Sequence, residues 1–168
     1  MTFSKARSIF CTLFFSSMIM ACTPVTREQS TNPVDIVSVN STDNWSVFAE
    51  ENPRECWAQT ALGAQTLTVL SSPDESVDEQ VVFAAGFPFS NTSLRIDGGR
   101  IFRLYNVGLG QNAWPKSPRE DVQIVRALKS GSRAVVNARN ARGERVRYVF
   151  SLSGAVEAIT SAARLCSP

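Results

Sequence analysis

Five arginines fall within one short stretch of the chain: Arg133, Arg139, Arg142, Arg145 and Arg147. A guanidinium offers a planar fork of donors that matches phosphate and carboxylate. Arg145 and Arg147 alternate with Val146, Tyr148 and Phe150, so on a strand they face away from the apolar side. Arg139 and Arg142 lie at or near the turn Asn140-Ala141-Arg142-Gly143. The group reads as an anion site, for an anionic glycolipid phosphate or an acidic face of an envelope protein. It reads equally as a solvated strand face balanced by acids such as Glu144. Three tryptophans are the other conspicuous chemistry. Trp114, before Pro115 in a glycine-rich loop over 108–114, is the candidate for an exposed binding aromatic. Trp45 alternates with Val47 and Ala49 and reads as core. Trp57 follows Cys56 and points to the opposite side.

Other chemistry is limited by composition. The chain has no histidine. That removes the commonest general base and metal ligand, and with them Ser-His-Asp, Cys-His and histidine-ligated zinc sites. Glu50, Glu51 and Glu55 offer carboxylates that a glycoside hydrolase could use in pairs, or a polar turn. The run Asp74, Glu75, Asp78 and Glu79 lacks the spacing and central glycine of a calcium loop. Gly108-Leu109-Gly110 has no following Lys-Ser/Thr, so it is no phosphate loop. No cofactor, metal or catalytic set is expected. A non-catalytic binding role is the leading reading, ahead of passive envelope architecture and a carboxylate-dependent hydrolase.

The four cysteines carry the remaining chemistry. Lys5 and Arg7 precede the apolar run Ile9 to Met20, which is too short for a stable membrane span and fits a removable signal over 1–21. Ile19-Met20-Ala21-Cys22 resembles a bacterial lipoprotein cleavage box, with Cys22 as the site of lipid attachment (diacylglycerol and a fatty acid such as palmitate). An ordinary secretory signal with an incidental Cys22 fits the same residues. Cys11 leaves with the signal. Cys56 and Cys166 then remain, and a pair of cysteines in an exported chain predicts a disulfide. Two buried free thiols are the alternative. Residues 22–43 are polar and rich in Ser, Thr, Asn and Pro, so they read as a flexible tether from a membrane to the domain.

These groups need a frame. At 168 residues, 43% hydrophobic and 19% charged, the chain can bury one core, placed over 44–168. Loss of Lys5 and Arg7 leaves basic and acidic residues in balance, so nucleic acid is not an expected partner. Short strands are expected over 44–50, 55–61, 67–70, 79–88, 93–96, 100–105, 134–138 and 145–150, with a hairpin turn at Asp97-Gly98-Gly99-Arg100. Ser117-Pro118-Arg119-Glu120 reads as a capping box opening a helix with Val122, Val125 and Leu128 on its stripe, Ile124 adjacent to it, and Gly131 as a left-handed stop. Ser153 is expected to cap a final helix with Val156, Ile159, Ala163 and Cys166 buried. The fold class is mainly β: a β-sandwich-like antiparallel domain with two short helices.

The order of several short blocks resembles the invasion-associated locus B family of bacterial envelope proteins. They are NWSVFAEENPRECWA at 44–58, AGFPF at 85–89, IDGG at 96–99 and AWP at 113–115. IVRALKSG at 124–131, ARG at 141–143 and FSLSGAVEAI at 150–159 follow, with Cys166 behind them. The resemblance implies a β-rich periplasmic or surface-associated protein. It supplies no catalytic set. Family members usually carry further cysteines, and a Gly-Phe where this chain has Ser153-Gly154-Ala155.

Overall fold

The computed structural model describes residues 37–42, 44–107 and 110–167, all within the unit Asn32–Pro168. The signal segment, Cys22 and the tether up to residue 36 lie outside the described residues.

Ten strands form one antiparallel ladder among the described residues. They are β1 (Val37–Thr42), β2 (Trp45–Glu51), β3 (Arg54–Leu62), β4 (Gln65–Ser72), β5 (Val77–Ala84), β6 (Phe89–Ile96), β7 (Ile101–Val107), β8 (Asn112–Trp114), β9 (Arg133–Asn140) and β10 (Arg145–Ser151). The helices are α1 (Pro118–Ser130) and α2 (Ala155–Leu165). Strand order is β1-β2-β3-β4-β5-β8-β7-β6-β9-β10. The fold is therefore mainly β with two short helices. The strands follow one another in one continuous hydrogen-bonded order. β1 falls inside the polar segment assigned to the tether, and β8 inside the segment expected to be a loop.

Alternation explains the core. Trp45, Val47, Cys56, Ala58, Leu67, Val69, Val81 and Phe83 point one way from β2–β5 and are buried. From the other half of the ladder, Leu94, Ile96, Phe102, Leu104, Ala134, Val136 and Phe150 join the same cluster. The Phe83 ring lies 5.1 Å from Phe89, 5.7 Å from Tyr148 and 6.3 Å from Phe150, so β5 meets β10 across this core. Trp45 is fully buried, and its indole N–H donates to the Ser151 carbonyl at 3.2 Å. Trp57 faces the other side, stacked on Phe48 at 5.3 Å.

α1 guards the open edge of β5. The Val81 N–H, left unpaired by the ladder, donates to the Asp121 carboxylate at 2.8 Å. Burial pushes the Asp121 carboxyl above the usual range, although this hydrogen bond opposes the shift. Lys129 pairs with Glu79 at 2.6 Å at the other end of the helix.

Ser117 is the N-cap and Pro118 opens the helix, but the Ser117 side chain makes no capping bond. Glu120 accepts from the Lys116 N–H at 3.1 Å, so the reciprocal box does not form. The buried side of α1 is Asp121, Ile124, Val125 and Leu128, while Val122 is exposed. Gly131 is extended, at φ −93° and ψ 173°, not left-handed. It is small for a different reason: a Cβ there would sit 2.9 Å from the Ala127 carbonyl oxygen and collide with Ile96 Cγ2.

α2 packs on the core side of β2 and β3. Gly154, at φ +84°, takes the N-cap position in place of Ser153. Ala155, Ala158, Ile159 and Ala162 are buried and Val156 is exposed, because small side chains let the helix approach the sheet. Cys166, just past the helix, is bonded to Cys56 on β3. Arg54 Nη2 donates to the carbonyls of Leu165 at 2.9 Å and Ser167 at 3.1 Å, holding the same chain end.

Candidate functional site: an arginine face

β6, β7, β9 and β10 carry six arginines and no aspartate or glutamate. All six lie on the side opposite the core: Arg95, Arg103, Arg133, Arg139, Arg145 and Arg147. Alternation along the strands, with Leu94, Phe102, Leu104, Val136 and Phe150 buried, turns the intervening residues to the other side, where Val135 alone among the cross-strand row residues is also buried. The register then fixes which outward residues are neighbours. Arg103, Ser93, Asn137 and Arg147 form one cross-strand row. Ile101, Arg95, Val135 and Val149 form the next. Arg139 and Arg145 are directly paired on β9 and β10. Opposed side chains in such rows lie about 5 Å apart at Cβ.

The register is pinned by one carboxylate. Asp97, in the β6–β7 turn, accepts from the backbone N–H of Ser132 at 2.7 Å and of Arg133 at 2.9 Å. The turn itself uses positive φ at Asp97 and Gly98, as the sequence signal requires. The hairpin is thereby tied to the start of β9.

Three open depressions adjoin one another on this face. The largest, about 610 Å³, is lined by residues including Arg103, Tyr105, Asn91 and Arg139. A second, about 360 Å³, includes Arg95, Arg133, Asn137 and Arg147. The third, about 330 Å³, includes Arg139, Arg145 and Arg147. Amide and hydroxyl groups from Asn91, Ser93 and Asn137 stand between the guanidinium groups. No carboxylate lines any of the three. Their linings offer guanidinium, amide and hydroxyl donors to an anion.

The structure brings Arg139, Arg145 and Arg147 together and removes Arg142 from the group. Arg142 sits in the β9–β10 turn, where it pairs with Glu144 at 3.1 Å. Glu144 therefore balances the turn rather than the strands. Arg139 partly serves the same turn, donating to the Gly143 carbonyl at 2.7 Å. Trp114 is half-buried on β8, paired in register with Tyr105 at the margin of the face. Arg95 and Arg103 were missed by the sequence reading. Their signal was the alternation of Arg103 with Phe102 and Leu104, and of Arg95 with Leu94 and Ile96.

The carboxylates do not converge on these depressions. Glu50 and Glu55 are cross-strand neighbours on β2 and β3. Burial, then repulsion from Glu75 and Glu50, raises the Glu55 pKa. Among the described residues, no group of three or more Cys, Asp or Glu side chains is placed to hold a metal ion. No described helix is long and apolar enough to cross a membrane.

No protein-family model and no curated protein matches the sequence. The fold does have a counterpart. It is similar to the crystal structure of invasion-associated protein B from Bartonella henselae, at a TM-score of 0.55 and 15% identity, over 75% of this chain and 96% of that one.

Proposed function

We propose that the chain is an exported envelope lipoprotein, attached at Cys22 to a membrane on the periplasmic side, whose domain binds an anionic partner non-catalytically through its arginine face. The signal-like segment, the cleavage-box pattern before Cys22 and the Cys56–Cys166 disulfide support export. The fold likeness to an invasion-associated protein of a bacterium is consistent with an envelope setting. The observation that carries the binding role is the one-sided charge: six outward arginines on four strands that contain no acid. The core on the other side of the same strands is built without them. Like charges placed side by side cost stability unless a ligand neutralises them.

The test is titration of the full chain with inorganic polyphosphate at low and high salt. Binding is expected, and it should weaken with salt as exposed charges are screened. Arg103→Glu with Arg147→Glu, at opposite ends of one row, should weaken it by about a hundredfold, taking about 1.5 kcal/mol or more for each charge-assisted contact. Equal affinity for the double variant and the parent overturns the assignment.

A further inference from the structure

The arginine face also carries side chains that an anion site does not need. Among the described residues, the exposed large apolar side chains include Ile101 at 54%, Tyr105 at 49%, Val107 at 65% and Val149 at 41%, and all four project from this face. The others are Leu62, Val122, Val156 and Leu165, spread over the end of β3 and the two helices. Along β7 the outward positions read Ile101, Arg103, Tyr105 and Val107. Ile101 and Val149 lie at the two ends of the row that holds Arg95 and Val135.

A soluble anion is gripped by the arginines alone and gains nothing from exposed aliphatic groups beside them. A bilayer surface presents both complements at once. Its phosphates sit above an apolar boundary that tyrosine and short aliphatic side chains can enter, while arginine keeps its charged head among the phosphates. The size fits as well. Six residues along β9 and three strand spacings across span about 20 Å by 14 Å, enough for several headgroups. The depressions are open to solvent rather than enclosed, as suits a surface partner.

We propose that this face docks directly on an anionic phospholipid surface. The six arginines engage phosphates while Ile101, Tyr105, Val107 and Val149 reach the boundary beneath them. The proposal rests on reading the arginine face as an anion site, and adds the identity of the partner. It is a membrane contact independent of any lipid at Cys22, and it lays the domain flat on the membrane.

Hydroxyl-radical footprinting of the full chain tests it. The chain is oxidised with neutral phosphatidylcholine vesicles, with vesicles that also contain phosphatidylglycerol, and with soluble inorganic polyphosphate. Oxidation is normalised to Leu62, Val156 and Leu165. Phosphatidylglycerol vesicles should protect both the arginines and the four apolar residues, and neutral vesicles neither. Polyphosphate should protect the arginines alone. Each arginine replaced by alanine should weaken docking roughly fivefold. Arginines protected by both anions, with the apolar residues equally oxidised on both vesicle types, would leave the anion site standing and overturn membrane docking. No protection by either anion would overturn both.

Discussion

Removing the bond between Cys56 and Cys166 should cost more stability than any other single change in the domain. The two cysteines are 110 positions apart, so the bond restrains most of the unfolded domain. The chain-entropy relation gives about 5 kcal/mol for a loop of that length. Both cysteines are buried, at 2% and 4% exposure, so a Cys56→Ala/Cys166→Ala variant leaves only small voids. The native contacts of α2 survive in it, including Ala158, Ile159 and Ala162 and the two Arg54 bonds to the chain end. The loss should therefore reside mainly in the unfolded state. Urea unfolding should show a much lower midpoint and a steeper slope, because the unbridged chain exposes more surface. The parent treated with reductant should match the variant. A loss below about 1 kcal/mol with an unchanged slope would refute the argument.

Asp121→Asn keeps an acceptor for the Val81 N–H and removes a carboxyl whose folded pKa is raised by burial. A raised acid pKa means the folded state holds its proton more tightly, so the parent loses stability as pH rises through the ordinary aspartate range to the folded value. The variant should thus be at least as stable at pH 7, with the gain vanishing at acid pH, as thermal melts across pH will show; Asp121→Ala should lose about 1–3 kcal/mol by orphaning that N–H. Gly131→Ala should cost about 1–3 kcal/mol in urea unfolding, from the clash of its methyl with Ile96 and the Ala127 carbonyl. Cys22→Ser should leave the domain held only by its charged face, so that a high-salt wash releases it from the membrane fraction while the parent stays; retention of the variant through the wash would count against lipidation.

The parts of the fold legible in the sequence were those written locally. The Pro118 start of α1, the Asp97-Gly98 turn and the alternation of Val146, Tyr148 and Phe150 each depend on neighbours within a few residues. The helix stripes were misjudged where large apolar residues were assumed to be inside. Val122 and Val156 are out, and Asp121 and Ala155 are in, because an edge N–H needed an acceptor and a sheet needed close approach. The pairing of β5 with β8 and of β6 with β9 joins strands far apart in sequence, and no local pattern specifies it. That pairing is what assembles the site. Arg145 and Arg147 could be seen as a pair along one strand, but Arg95 and Arg103 reach them only through β9 and β6.

The clamp formed by Asp97 addresses its neighbour through main-chain N–H groups, not side chains. Strand placement is thus indifferent to which residues point outward from β6, β7, β9 and β10. The outer surface is a panel that can be re-lettered while the frame behind it stays put. A chain could exchange Arg95, Arg103 or Arg147 for hydroxyls while the buried residues on the other side of the same strands stay as they are. A fold kept at 15% identity fits a frame that tolerates such re-lettering.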